Sequence, residues 1–202
     1  MRVLEAGEAA LLIEVDDLGS VLALSSALRA QLPRGVLEAV PAARTVLLHC
    51  DPRIASLASV AKAVRGLETS APAAAEPEVL EIPATYDGPD IDDVLAQTGL
   101  ARAELVQWHT GTHWQVAFCG FSPGFGYLTS DNARSVTRRD TPRTSVPAGS
   151  IGLAGEFSGV YPRDSPGGWQ LIGRTELTLF HLDSDPPALL RPGVAVRFVD
   201  QT

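Results

Sequence analysis

Two arginines in glycine- and proline-rich runs are the side chains best suited to grip an anion. Arg143 sits in TPRTSVPAGS (141–150) and Arg174 in YPRDSPGGWQLIGRT (161–175). A guanidinium offers paired N–H donors that match a phosphate or a carboxylate. The plainer reading is that both arginines tie loop carbonyls together. Gly149, Ser150, Gly167 and Gly168 could present backbone amides to an oxyanion or phosphate, since a glycine has no Cβ to block approach. The same glycines also suit tight corners of a small barrel. Tyr161 and Trp169 flank the SPGG turn (165–168). They could line a pocket for a flat ring, plug a barrel, or anchor an interface with another chain. His109 and His113 bracket the end of one element and the start of the next, where either could act as a general base. A histidine at a helix end is otherwise a surface residue favoured by the helix dipole. His49 and His181 fall in predicted strands and receive no role.

Several familiar chemistries are excluded. GFSPG (120–124) matches G-x-S-x-G literally and follows a predicted strand. A nucleophile elbow needs a helix after the serine and an amide donor just beyond it. Here Pro123 has no N–H, and Gly124-Phe125-Gly126 does not start a helix. No G-x-x-x-x-G-K-[ST] run exists, and Lys62 is the only lysine among sixteen basic residues. The H-E-x-x-H spacing is absent, and Cys50 and Cys119 form neither a metal pattern nor a disulfide framework.

The elements that must position these residues divide into two sets. Residues 1–68 read as a small α/β domain. Val3–Ala6 and Leu11–Val15 are predicted strands, followed by a helix carrying Leu18, Val21, Leu22, Ser25, Leu28 and Leu32 on one face and stopped by Pro33. Val36–Val40 and Thr45–Cys50 form a predicted hairpin. A second helix carries Ile54, Leu57, Ala58, Ala61, Val64 and Leu67, with Asp51 as its N-cap and Pro52 at its first position. Residues 69–77, TSAPAAAEP, have linker composition. Residues 78–202 form the second domain. Val79–Pro83 is a strand, Asp90–Gln97 and Ala101–His109 are short helices with Gly99 ending the first, and His113–Cys119 is a strand. Short strand-like runs separated by glycine and proline then follow to Gly173, with Thr175–His181 and Val194–Val199 as the last predicted strands. This texture predicts a closed or nearly closed β structure.

Composition narrows the setting. Hydrophobic residues make up 45% of the 202 and charged residues 20%, which is enough to build a core and argues against global disorder. The net charge of -8 disfavours nucleic acid and anionic lipid as partners. No run of about eighteen apolar residues predicts a membrane span. The first residues lack the layout of a secretory signal, and the two cysteines suit a reducing cytoplasm.

FCGFSPGFGYL (118–128), TPRTSVPAGS (141–150) and YPRDSPGGWQLIGRT (161–175) together resemble the hallmark runs of one family. Its members are variously called the B subunit of 5-oxoprolinase, allophanate hydrolase subunit 1 or KipI-type kinase inhibitor, with a carboxyltransferase domain of subdomain C and D type. The resemblance covers nearly the whole chain. It implies an α+β fold, a small N-terminal α/β sandwich followed by a cyclophilin-like β-barrel. The barrel is similar to one half of the carboxyltransferase region of urea carboxylase. The resemblance implies one member of a multi-chain hydrolase, inactive alone, that converts 5-oxo-L-proline to L-glutamate with ATP, with Mg, as co-substrate and no tightly bound cofactor. The implied partners are the A and C subunits of 5-oxoprolinase, the latter (allophanate hydrolase subunit 2-like) a related barrel. On this resemblance Arg174, Arg143 and His109 are the catalytic candidates, because the family places a histidine near His109. Gly149, Ser150, Tyr161, Gly167, Gly168 and Trp169 are the candidates for holding substrate or nucleotide. Two other readings stay open: a piece of urea or allophanate metabolism, and an inhibitor of a sensor histidine kinase. The sequence departs from the family at Cys119, where a larger residue is usual, and at Gly126, where proline is common.

Overall fold

The computed structural model describes residues 1–69 and 79–202, so most of the linker-like run 69–77 lies outside the described residues. The chain divides into two compact units, Met1–Ala75 and Glu76–Thr202.

The first unit runs β1 (Arg2–Glu5), β2 (Ala10–Glu14), α1 (Leu18–Ala30), β3 (Val36–Pro41), β4 (Thr45–Cys50) and α2 (Leu57–Arg65). Its antiparallel sheet has the order β1-β2-β4-β3. Leu11, Ile13, Val46 and Leu48 alternate onto one face and meet Val21, Leu24 and Leu28 of α1 and Val60 and Val64 of α2. Burying each such side chain is worth roughly 1.5–3 kcal/mol. Asp17 caps α1 through the Ser20 N–H at 2.7 Å. Two helix boundaries differ from the sequence reading. α1 ends at Ala30, leaving Leu32 46% exposed. α2 begins at Leu57, capped by Ser56 rather than Asp51. The Asp51 carboxylate instead accepts from the backbone and guanidinium of Arg53, which closes a local turn before the helix.

The second unit builds a barrel. Its elements are β5 (Val79–Ala84), α3 (Ile91–Thr98), α4 (Arg102–Gly111), β6 (Trp114–Cys119), β7 (Gly126–Thr129), β8 (Arg143–Val146), β9 (Ser150–Ala154), β10 (Phe157–Val160), β11 (Ser165–Gly167), β12 (Gln170–Arg174) and β13 (Ala195–Asp200). Seven strands follow the order β12-β9-β10-β7-β6-β13-β5. Every pairing among them is antiparallel except β13 with β5. The sheet's two ends meet where Thr85 and Arg174 exchange backbone hydrogen bonds of 2.9 Å each. Closure removes most of the free edge that an open sheet would expose. β8 and β11 form a separate two-stranded ribbon. Gly99 ends α3 in the left-handed conformation at φ +71°. α4 is held at its start by Glu104, which accepts from the Ala101 N–H at 2.8 Å. Ile91, Val94, Leu105 and Trp108 of these helices close the core over Ile82, Val116, Leu128, Ile151, Ile172 and Phe198. Among the described residues, no helix is long and apolar enough to cross a membrane.

The predicted strand Thr175–His181 is not one. Its burial alternates, with Thr175 and Leu179 inside and Glu176 and Thr178 outside, but it joins no ladder. Its hydrogen bonds go to loop partners, Thr175 N–H to Gly149 O and the Leu189 N–H to Leu179 O. Periodicity reports burial, and here the burial comes with no pairing beyond the isolated antiparallel bridge of Phe180 with Ala188.

His109 belongs to this core. It is completely buried on α4, with Nδ1 2.7 Å from the Tyr86 hydroxyl and Nε2 2.9 Å from Ser158 Oγ. Its ring packs 4.2 Å from that of Phe198. Burial holds its pKa down at about 3, from an ordinary 6.5. Between those two values the unfolded chain takes up a proton that the folded chain refuses. His109 therefore contributes stability above pH 6.5 that is lost as pH falls towards 3, at a limiting slope of roughly 1.4 kcal/mol per pH unit. Urea unfolding at stepped pH should show a shallower acid slope for His109→Gln than for the wild type. Identical slopes would contradict the buried, neutral imidazole.

Candidate functional site

Asp90 organises the loops of the second unit. It is 2% exposed and stands just before α3. Its carboxylate accepts from Arg143 Nη1 at 2.9 Å and Nη2 at 2.7 Å, from Arg139 Nη1 at 2.7 Å, and from the Leu171 N–H at 2.7 Å. Its own N–H donates to Leu171 O at 3.0 Å. Burial pushes the Asp90 carboxyl up, but the hydrogen bonds of Arg143 and Leu171 and the charges of Arg143 and Arg139 outweigh it, and the net shift is downward. One carboxylate thus joins the 139–143 loop to the start of β12. The Arg139 N–H donates to Gly168 O at 2.9 Å, and Arg143 pairs across the ribbon with Gly167.

A cavity of about 260 Å³ opens on this frame. Its walls are Phe121, Phe125, Tyr127, Tyr161 and Trp169, its turn is Pro166-Gly167-Gly168, and Pro142 and Arg138 complete the rim. The rings lock edge to face: Phe125 lies 5.3 Å from Trp169 and 5.5 Å from Tyr161, and Tyr127 lies 5.6 Å from Trp169. Each such pair adds about 0.5–1.5 kcal/mol beyond its buried area. Tyr161 is buried, and burial raises its hydroxyl pKa, so it stays a neutral phenol. Glycine is required at 167, where a Cβ would land on the Tyr161 hydroxyl. Phe121 stands at the mouth, 56% exposed, with its ring 5.3 Å from Phe125 and 6.0 Å from Tyr161. Its φ of +66° is a left-handed conformation that bulky residues rarely adopt. Such a residue costs of order 1–2 kcal/mol, and the cost is typically tolerated where the side chain has a task.

The structure thus brings Tyr161, Gly167, Gly168 and Trp169 together, with Arg143 beneath them. It separates the others. Both terminal nitrogens of Arg143 are engaged by Asp90, so it anchors the pocket instead of facing it. Arg174 is exposed at the end of β12, paired with Asp87 at 2.9 Å and Glu176 at 3.0 Å. Those two carboxylates neutralise it, and it lines a different depression with Pro83, Leu177 and Gln201. His109 is sealed in the core with both nitrogens occupied, so it has no path to a substrate proton. Gly149 is a corner at φ +79°, packed on Thr175 O, and its N–H donates to Tyr161 O at 2.7 Å. Ser150 is buried, its hydroxyl donating to Pro147 O at 2.7 Å and its N–H bonding the same carbonyl. Both amides are already hydrogen-bonded within the chain, and neither residue lines the aromatic cavity. Ser122 is followed by a turn and then β7, not by a helix, so no nucleophile elbow forms.

Sequence reading missed Arg138, Phe121, Phe125 and Tyr127. The three aromatics lie inside the 118–128 run that stood out, and their spacing of four and two residues around a glycine turn was the available signal.

Asp90→Asn leaves two guanidiniums without their counter-charge. Removing one partner of a buried pair costs about 3–5 kcal/mol. Arg139 and Arg143 keep 32% and 23% of their side-chain surface in solvent, so the lower end is expected. Urea denaturation reads this directly, and a loss near zero would contradict the anchoring role. Phe121→Gly removes two ring contacts and also releases the left-handed strain, so stability should change by no more than about 1 kcal/mol. A much larger loss would show the ring to be a structural plug.

A family described as carboxyltransferase domain, subdomain C and D, matches residues 1–190. An Escherichia coli protein named as the B subunit of 5-oxoprolinase is 44% identical over 172 residues, covering 82% of this chain and 78% of its own. A crystal structure described as TTHA0988 superimposes with a TM-score of 0.78 at 32% identity, over 96% of this chain and 40% of that one. The urea amidolyase of Kluyveromyces lactis gives a TM-score of 0.78 at 18% identity, over 99% of this chain and 15% of that one, a likeness of fold alone. This chain therefore spans less than half the length of those two solved proteins. It belongs to the carboxyltransferase-domain family of subdomain C and D, together with the proteins named as B subunits of 5-oxoprolinase.

Proposed function

We propose that this chain is one component of an ATP-dependent 5-oxoprolinase, acting with the A and C subunits of that enzyme, and that its aromatic cavity receives the lactam ring of 5-oxo-L-proline. The observation that carries the reading is an aromatic pocket with room for a small ring, one guanidinium at its rim and no acidic residue in its lining. The names of the relatives support the same reaction.

The amide of a five-membered lactam is stabilised by resonance, and water does not open it unaided. ATP, with Mg, would supply a phosphoryl group that makes the ring carbonyl electrophilic. The work left to this chain is binding and orientation. Tyr161, Trp169 and Phe125 offer flat faces and edges that hold the ring and keep water from its buried side. Tyr161, a neutral phenol, can hydrogen-bond to the ring's polar groups without introducing charge. The fixed ring geometry limits the substrate to a few orientations, which is the usual source of rate gain from positioning. In this reading the nucleotide is held outside the cavity, by the partner chains, and the protein works in the cytoplasm.

The purified chain mixed with the A and C subunits should release L-glutamate from 5-oxo-L-proline with ATP consumption, and mixtures lacking any one component should not. Full activity without this chain, or turnover of urea or allophanate in place of 5-oxo-L-proline, would overturn the proposal.

A further inference from the structure

We infer that Arg138 is a specificity-determining residue: it takes the substrate's carboxylate at the rim of the aromatic cavity and so selects small cyclic acids over neutral lactams. This rests on reading that cavity as the substrate site.

Four arginines of the second unit differ in what already occupies them. Arg139 and Arg143 are held by Asp90, and Arg174 by Asp87 and Glu176. Arg138 stands apart. It is exposed, it lines the cavity, and among the described residues it has no carboxylate partner and no hydrogen bond. The rest of the lining carries no formal charge, since it consists of aromatic, proline and glycine residues. A single uncompensated positive charge beside low-polarity walls favours a ligand with one negative charge. The planar fork of a guanidinium fits a carboxylate in two parallel hydrogen bonds.

Size narrows the ligand further. The cavity of about 260 Å³ lies below the roughly 300–1,000 Å³ that drug-sized ligands occupy. A single small ring with its substituents fits within that space. The aromatic walls suit the flat portion of such a ring, and the exposed Arg138 side chain in the lining is open to a charged substituent. Adjacent residues in sequence therefore do different work. Arg139 faces inward to Asp90 and holds the loop, and Arg138 faces the cavity with its charge unused.

The test uses the enzyme assembled with its A and C subunits. KM is measured for 5-oxo-L-proline, and an inhibition constant for 2-pyrrolidone, the same lactam without a carboxylate. Arg138→Ala should raise KM by about tenfold to a hundredfold, the worth of a charged hydrogen bond, and leave the 2-pyrrolidone constant within about twofold. Arg138→Lys keeps the charge without the fork and should fall between. Phe121→Gly opens the mouth at an exposed position and should weaken both ligands. If Phe121→Gly weakens both while Arg138→Ala leaves KM unchanged, the cavity stands and the role of Arg138 falls. If Arg138→Ala weakens both ligands equally, its effect is structural and the inference is overturned. If neither variant changes either constant, the cavity is not the substrate site and both readings fall together.

Discussion

One buried carboxylate sets the shape of the second unit. Asp90 carries four hydrogen bonds from three residues that are distant in sequence, and its own N–H returns a bond to Leu171. It precedes the first turn of α3, where the helix dipole favours a negative charge. No side-chain capping bond is made there, because the oxygens are engaged by arginines. The charge is deep, and only full satisfaction of its lone pairs makes that burial tolerable. The result is a rigid joint between a loop with little regular structure of its own and the edge of a barrel.

That joint decides which residues can act on a ligand. Arginines that the sequence offers as anion holders become frame members once a carboxylate of the same chain reaches them. Arg143 is the clear case. Arg174 is neutralised too, but on the surface, where such pairs are worth little and exchange with solvent. The glycines divide in the same way. Gly149 makes a corner whose amide is occupied, and Gly167 makes room for a tyrosine hydroxyl. The aromatic rings then enclose a space with a single free charge at its edge.

Much of the architecture was legible beforehand. The β-β-α-β-β-α order of the first unit follows from alternating and helical apolar spacing, and most of its strands fall within a residue or two of expectation. Barrel closure was legible from the density of glycine and proline between short strands. The segment 175–181 was misread because alternation measures burial, and a chain can alternate against a core while its backbone bonds to loops. The site was legible in part. Tyr161, Gly167, Gly168 and Trp169 lie close in sequence, so their convergence needed no tertiary knowledge. Arg143 could not be judged without Asp90, 53 residues away. His109 could not be judged without Tyr86, Ser158 and Phe198, which surround it from three other parts of the chain. Arg138 and Arg139 are indistinguishable as letters, and only the fold turns one to a carboxylate and the other to a cavity.

The central claim is that the ring of a small cyclic acid sits among Phe125, Tyr161 and Trp169. A crystal structure of the complex of this chain with its partner chains, soaked with 5-oxo-L-proline, tests it most directly. Density for one ring in the aromatic cavity is the expected result. Density for the ligand elsewhere, with that cavity empty, would contradict it.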